Sequence, residues 1–306
     1  MTVNSPLASP KATIEALRRW GIVTQKSLGQ HLLVDDGVVG RILRLACVGP
    51  TDRVLEVGPG IGTLTQALLL KGAQVLALEK DQRLRALLED LQGRFLGSFG
   101  FEQVDALDYL RRGGAGEREP GAAGETGETG LAGFRAQKLV ANLPYAVAAT
   151  LVLDAFLLMP SIGSATVMVQ KEVAQRMAAR PGGKDYGAYS VKLQLMAEPK
   201  DSFFVNRSCF LPPPRVDSMV IRLDRRAEAL GAEDIESTFM LVEAAFCQRR
   251  KTIRNSMRAA FGQQGLELGL VDHLLAEAYI DAEVRAETLE PQVFLALGRA
   301  FMAREG

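Results

Sequence analysis

Three cysteines, two histidines and one tryptophan are all that this chain of 306 residues holds of those types. Each scarcity excludes something. Cys47, Cys209 and Cys247 are too few and too scattered for a disulfide framework or a thiolate metal site, so they are expected to be incidental thiols in a reducing compartment. With only His31 and His273 available, a histidine-based metal centre is not expected either. Neither sign of charge is in excess. The 36 Lys and Arg balance 36 Asp and Glu, so no global field gathers a polyanion and any nucleic-acid contact must come from a local patch. Long apolar runs are lacking. The longest stretch, residues 146–159, carries Asp154 and falls short of the ~20 residues that span a bilayer. Residues 1–10 have no apolar core of the kind a secretory leader needs. The expectation is a soluble, cytoplasmic monomer with no membrane partner.

What the chain does hold is an α/β rhythm, in an ordinary globular composition of 47% apolar and 24% charged residues. Residues 11–20 read as a short amphipathic helix and 25–33 as a polar–apolar segment. Residues 36–46 read as a helix with Val38, Val39, Ile42, Leu43 and Ala46 at helical spacing. Strands are predicted at 54–57, 74–79, 101–104, 137–141 and 165–169. Helices are predicted at 64–70, 82–91, 148–158 and 172–179. Such alternation implies a parallel, doubly wound sheet. Residues 111–133 are rich in Gly, Ala and Glu and cannot bury enough apolar surface to fold, which predicts a flexible surface insertion. Beyond Gly187 the texture changes. Residues 203–205 and 218–223 read as strands around a rigid Pro212-Pro213-Pro214 turn. From about Glu233 the pattern is helical, with Phe239, Val242, Phe246, Leu268, Leu274, Leu275, Phe294 and Leu297 as core candidates. The fold class expected is thus α/β, a Rossmann-like doubly wound sheet over residues 1–230 with a smaller helical C-terminal domain over 231–306.

Two segments carry the chemistry. The first, Glu56-Val57-Gly58-Pro59-Gly60-Ile61-Gly62, follows the apolar strand Arg53-Val54-Leu55. A glycine-rich turn at that place lets the backbone approach a nucleotide-like ligand. Compared with the dinucleotide fingerprint G-x-G-x-x-G, the third glycine comes one residue early and an acid stands two residues before the first. That form modestly favours S-adenosylmethionine (SAM) over NAD. Glu79, at the end of the second strand, can accept from two ribose hydroxyls in either cofactor. Asp105, at the end of the third, can accept from an adenine amino group; Asp108 competes for that role, although a turn or helix cap suits it better. The second segment is Asn142-Leu143-Pro144-Tyr145, at the end of the fourth strand. The lone pair of an exocyclic adenine amine is delocalised into the ring. Fixed acceptors on its N–H bonds, the Asn142 side-chain oxygen and the Leu143 or Pro144 carbonyl, draw the nitrogen toward a tetrahedral shape and free that lone pair. Tyr145 can stack on the base, and in-line positioning needs no metal. Together the two segments imply SAM and methylation of an amino group.

Two further features are weaker. Residues 246–255 cluster Arg249, Arg250, Lys251 and Arg254 without interleaved acids, in what reads as one helical stretch. Such a cluster suits phosphate contacts; a solvated helix face is the plainer reading. Phe210, ahead of the proline turn, can serve as a second platform for a splayed-out base, or as core.

With these residues in view, the chain closely resembles the KsgA-type ribosomal RNA adenine dimethyltransferases. The matching segments are Gly29-Gln30-His31, residues 56–62 with Leu64-Thr65, Asn142 to Tyr145, Gln170-Lys171-Glu172-Val173, Tyr186-Gly187 with Ser190-Val191, residues 210–218 and residues 245–256. They run in order over nearly the whole chain. The resemblance implies transfer of four methyl groups to two adjacent adenines in a 3′-terminal hairpin of small-subunit (16S-type) rRNA, within a pre-30S-type particle. It implies SAM contacts at His31, Leu33, Gly58, Gly60, Glu79, Asp105 and Asn142, and a base held by Asn142, Leu143, Pro144, Tyr145 and Phe210. The family's N-terminal motif usually has two phenylalanines where this chain has Leu28 and Leu32. Three other readings stand beside it. One is the sister family of large-subunit rRNA methylases that confer macrolide resistance. Another is a non-catalytic ribosome-assembly factor, and the third a methyltransferase for small-molecule or protein amines.

Overall fold

The computed structural model describes residues 3–23, 30–113, 131, 133–228, 230–264 and 269–305. Most of the expected insertion at 111–133 lies outside the described residues, as do Leu28, Gly29 and the core candidate Leu268.

The chain opens with α1 (Pro10–Arg19), started by Ser9, whose hydroxyl accepts the Ala12 N–H at 3.2 Å. A two-residue strand, β1 (Leu32–Leu33), leads into α2 (Asp36–Leu45), capped by Asp35. Upstream residues are tied onto α2 by Asp36, whose carboxylate accepts the N–H groups of Asn4 and Ser5 at 3.0 and 2.8 Å. Then the alternation begins. The order is β2 (Arg53–Val57), α3 (Thr63–Leu70), β3 (Gln74–Glu79), α4 (Arg85–Arg94), β4 (Phe99–Gln103), α5 (Ala106–Arg111), β5 (Lys138–Asn142), α6 (Ala148–Leu158), β6 (Ser164–Gln170) and α7 (Lys171–Met177). There follow α8 (Ala188–Met196), β7 (Ala197–Val205), β8 (Phe210–Leu211) and β9 (Ser218–Arg225). The remainder is α9 (Ala232–Phe246), α10 (Ile253–Gln264), α11 (Gly269–Glu277) and α12 (Pro291–Glu305).

The main sheet has seven strands in the order β4-β3-β2-β5-β6-β9-β7. Its first five are mutually parallel and nearly continuous in apolar side chains, as strands covered on both faces must be. The order reverses at β2, with β3 on one side and β5 on the other. Such a switch point opens a crevice beyond the carboxyl ends of the strands. The α/β alternation accounts for the five parallel strands; beyond them β9 runs antiparallel to β6, with Ser218 opposite Gln170 and Asp224 opposite Ser164. Only a single 3-10 turn at Arg207–Cys209 and the two-residue β8 separate β7 from β9, too short a connection for a right-handed crossover to a parallel strand. Burying Val54, Leu55, Val75, Leu76 and Leu139 contributes roughly 1.5–3 kcal/mol each, which is what holds the strand ends still enough to carry a site.

The chain divides into two compact units, residues 1–174 with 200–225, and residues 175–199 with 226–306. The single cut expected at 230 differs from this division, because α8 belongs with the C-terminal helices. Val191 and Leu195 of α8 are buried with Leu241, Val242, Phe261, Leu274, Phe294 and Leu297. Within that helical unit, α9 and α12 cross so closely that a Cβ added at Gly298 would lie 2.2 Å from Thr238 Oγ1, so Gly298→Ala is expected to force the pair apart.

Candidate active site

A cavity of about 810 Å³ lies in the first unit at the β2 switch point, a size suited to a ligand larger than an amino acid. Three strand ends converge on it. From β2 comes the glycine turn, with Gly58, Gly60 and Gly62 at φ of +69°, +57° and +85°. Those left-handed values are costly for any residue with a Cβ. At Gly60 space matters as well, since an added Cβ would meet Leu32 Cδ2 at 3.2 Å. From β3 comes Glu79. Its carboxylate accepts the Gly60 N–H at 3.3 Å and the Asp81 N–H at 2.8 Å, and burial raises its pKa against the lowering effect of those two bonds. From β5 comes Asn142, followed by Leu143, whose N–H donates to the Met168 carbonyl at 3.0 Å, and Pro144, whose carbonyl accepts the Val147 N–H at 3.2 Å.

The most specific contact in the cavity is made by Asn142. Its Nδ2 donates to the His31 carbonyl at 3.0 Å. That bond fixes the amide plane with the nitrogen turned to the chain and leaves Oδ1 as the acceptor for a ligand. The His31 ring in turn stacks on Tyr145, with centroids 5.8 Å apart and planes at 26°. His31 Nδ1 lies 2.9 Å from the Pro212 carbonyl and so is the protonated nitrogen of the ring. The Tyr145 hydroxyl is 2.6 Å from Ser218 Oγ, and burial raises its pKa. Residue 31, the 142–145 turn and the 212–218 segment are therefore one hydrogen-bonded unit, reinforced by β1 pairing with β8, Leu32 to Leu211 and Leu33 to Phe210.

Beneath the glycine turn lies Glu56. It is 1% exposed, Oε2 has no hydrogen-bond partner among the described residues, and burial pushes its pKa up to about 8, with the nearby Glu79 adding to the rise. Thr63 Oγ1, also at the cavity, is likewise buried without a partner.

Of the residues expected from sequence, His31, Leu33, Gly58, Gly60, Glu79, Asp105, Asn142, Leu143, Pro144 and Tyr145 all line this one cavity. Asp105 differs in detail. It is itself the cap of α5, accepting the Leu107 N–H at 2.9 Å, and it pairs with Lys80 at 2.8 Å. The Lys80 ammonium is the main reason its carboxyl titrates below the usual range. The cap role foreseen for Asp108 thus belongs to Asp105; Asp108 sits in the first turn of α5. Phe210 is not brought to the cavity. Its side chain is 3% exposed within the core of the first unit, because β8 alternates and turns Phe210 inward. Sequence reasoning also missed Gln30, whose Nε2 donates to Asp81 Oδ2 at 2.7 Å, and Ser218 as the partner of Tyr145. Both depend on side-chain placement that no spacing announces.

The basic run is not one helical stretch. α9 stops at Phe246, residues 247–252 turn, and α10 starts at Ile253. The break is stapled by Ser256, whose Oγ accepts the Gln248 N–H at 2.9 Å and donates to the Ala244 carbonyl at 3.0 Å. Arg249 Nε donates to Glu287 at 2.8 Å and Nη2 to the Lys184 carbonyl at 2.6 Å. Arg254 donates to Glu283 at 3.0 Å and forms an ion pair with Asp272. Arg250 and Lys251 are exposed and have no carboxylate partner among the described residues. Among the described residues no group of His, Cys, Asp and Glu is placed to hold a metal, and no helix is long and apolar enough to cross a membrane.

Comparisons with known proteins agree with this geometry. The family model "Ribosomal RNA adenine dimethylase" matches residues 23–95 and 133–296. The chain is 41% identical over 302 residues to "Ribosomal RNA small subunit methyltransferase A" of Pelotomaculum thermopropionicum, covering 98% of this chain and 99% of that one. It is also 41% identical over 297 residues to the protein of the same name from Moorella thermoacetica, covering 96% and 98%. Among solved structures, a dimethyladenosine transferase from Plasmodium falciparum superposes with a TM-score of 0.70 at 22% identity, over 90% of this chain and 98% of that one. The 23S rRNA methyltransferase ErmE does so with 0.57 at 28% identity, over 88% and 98%. A Rossmann-like methyltransferase sheet with the Asn142 turn at its switch point, and relatives that match from end to end, make this chain a member of the ribosomal RNA adenine dimethylase family.

Proposed function

We propose that this enzyme methylates N6 of two adjacent adenines, to the dimethyl level, in the 3′-terminal hairpin of small-subunit rRNA. It uses SAM and no metal, acts on RNA held in a pre-30S-type particle, and works as a cytoplasmic monomer. The observation that carries the chemistry is the orientation of Asn142. With Nδ2 committed to the His31 carbonyl, Oδ1 is left to accept one N–H of the target amine. The Leu143 or the Pro144 carbonyl accepts the other; the Pro144 carbonyl also takes the Val147 N–H on one of its two lone pairs. Two fixed acceptors bias the amine toward the geometry in which its lone pair is free, and Tyr145, held by Ser218 and His31, offers its ring to the base.

The cavity residues fit SAM. The glycine turn permits close approach of the backbone, the Glu79 carboxyl would accept from the ribose hydroxyls, and Asp105, beside Lys80, would accept from the adenine amino group. SAM supplies an electrophilic methyl group on a sulfonium. The residues of the chain bind, orient and exclude water; none needs to take up a proton before the carbon–nitrogen bond forms. The test is methyl transfer from labelled SAM to purified immature small subunits, with the modified adenines mapped, for the wild type and Asn142→Ala. Dimethylation of two adjacent adenines near the 3′ end is expected from the wild type. A ~10²–10³-fold slower single turnover with SAM binding largely retained is expected from the variant. Label on large-subunit rRNA instead, or a near-normal Asn142→Ala, refutes the reading.

A further inference from the structure

The edge of the sheet opposite β4 carries an arrangement that the active site does not use. β7 is the outermost strand, and Phe203 and Phe204 are consecutive on it, so their rings leave opposite faces of the sheet. Each ring has a cation over it. The Arg41 guanidinium of α2 lies 3.8 Å from the Phe203 centroid, and Lys171 Nζ lies 5.9 Å from the Phe204 centroid. Phe204 is 46% exposed, one of the few large apolar side chains that are. Arg44, one turn beyond Arg41 on α2, is exposed, and neither it, Arg41 nor Lys171 has a carboxylate partner among the described residues. Arg41, Arg44 and Phe203 line an open groove of about 690 Å³. Two carboxylates face that groove as well. Asp224 is committed to Arg222 at 2.7 Å, and an Asp201 oxygen accepts the Ser202 N–H at 2.7 Å. That bond leaves the Asp201 charge in place, but Arg41, Arg44, Lys200 and Arg222 outnumber the two carboxylates at the groove, so net positive charge lies there beside Phe203, and Lys171 lies over Phe204 on the other face.

A small anion would meet one face only. A polyanion that bends round the edge meets both, and unpaired bases find rings to stack on. Continuity with the cavity supplies the direction: Gln170 lines the cofactor cavity, and Lys171 is the next residue.

We propose that the β7 edge is an RNA-docking surface of the catalytic unit, taking the strand that flanks the target adenine, with phosphates at Lys171, Arg41 and Arg44 and a base against Phe204. This rests on the reading of the enzyme as an rRNA methyltransferase. It is distinct from the exposed pair Arg250 and Lys251 of the helical unit.

The experiment measures binding of protein-free small-subunit rRNA, and of purified subunits, over a range of salt for the wild type, Arg41→Ala/Arg44→Ala and Phe204→Ser. Melting curves and calorimetric SAM titrations accompany each. The double variant is expected to lower the slope of log K against log salt by ~1.4, two single-strand phosphate contacts, with SAM affinity unchanged. Phe204→Ser is expected to weaken RNA about tenfold at fixed salt with the slope kept. Unchanged slope and affinity in folded variants overturn the proposal. So does weaker binding to subunits with unchanged binding to free rRNA, which would assign the edge to a ribosomal protein. Failure of the wild type to methylate rRNA would instead remove the functional reading beneath it, and the transfer assay reports that separately.

Discussion

Glu56 offers the most quantitative test of how the site is built. It lies on β2 two residues before the glycine turn, 1% exposed, with one oxygen unpartnered. Burial raises its pKa from 4.5 to about 8, with a smaller push from Glu79 and a lowering by the Thr65 hydroxyl. Between those two values the folded chain holds a proton that the unfolded chain has released. Stability therefore falls as pH rises through that window, and levels off above it. One proton is worth about 1.4 kcal/mol per pH unit, so the window from 4.5 to about 8 amounts to roughly 4–5 kcal/mol. Against a total stability of order 5–15 kcal/mol that is a large share.

Glu56→Gln keeps the shape and removes the proton. Its own cost or gain at pH 4.5 depends on where the new amide N–H finds an acceptor. The change with pH is set chiefly by the Glu56 proton, with a smaller part through its interaction with Glu79. The unfolding free energy of Glu56→Gln minus that of the wild type is expected to grow by roughly 4–5 kcal/mol between pH 4.5 and 8.5. Urea titration read by tryptophan fluorescence suits the measurement, since Trp20 is the single tryptophan and packs against the core of the first unit. Parallel profiles for the two proteins would show that Glu56 ionises as it would in water, and the placement of its side chain under the turn would be wrong.

Three further outcomes are expected. Glu79→Ala should weaken SAM by roughly 1.5–3 kcal/mol, about 10- to 150-fold, through loss of a carboxyl acceptor, and an unchanged calorimetric dissociation constant would place Glu79 outside the cofactor site. Arg249→Ala should lower the melting temperature of the helical unit, because it frees Glu287 and the Lys184 carbonyl, whereas Arg250→Ala/Lys251→Ala should leave melting alone and flatten the salt dependence of rRNA binding; the reverse pattern would refute the division of roles. Tyr279→Gly should stabilise the helical unit by about 1 kcal/mol, since Tyr279 is 97% exposed at φ +54° where α11 ends, and a melting temperature that does not rise would show that the tyrosine ring makes contacts of its own.

Much of the fold was legible because local pattern and tertiary environment agree. The strands at β2 and β3 and the helix α6 are apolar runs between clear stops, and they fall where periodicity puts them. The helix α8 was not legible. Val191, Leu193 and Leu195 alternate as a strand would, and all three are buried; the helix start is marked only by Ser190, whose Oγ accepts the Gly187 N–H at 3.3 Å, and Val191 and Leu195 pack in the core of the helical unit. The antiparallel β9 was hidden for a related reason: strand direction is set by the connection and leaves no mark on composition. In the basic run, charge alone does not tell a phosphate ligand from a structural ion pair. The carboxylate that settles Arg249 is Glu287, 38 positions on, and a lysine carbonyl that no charge pattern contains takes its second nitrogen.

The active site shows the same division at the scale of one side chain. The residue types of Asn142-Leu143-Pro144-Tyr145 announce an amine site, because an acceptor, a carbonyl and a ring are what an aromatic amine needs. They do not say which atom of the asparagine faces the substrate, and with the amide reversed the site would offer a donor to a donor. The His31 carbonyl, from 111 positions earlier, decides this by taking Nδ2. His31 is in turn fixed by its stack on Tyr145 and its bond to Pro212, and Tyr145 by Ser218. The Asn142 side-chain oxygen is therefore oriented by segments from three parts of the chain. Ser218→Ala is for that reason expected to act on turnover more than on SAM affinity: it loosens Tyr145 and through it His31 and Asn142, and leaves the glycine turn and Glu79 in place.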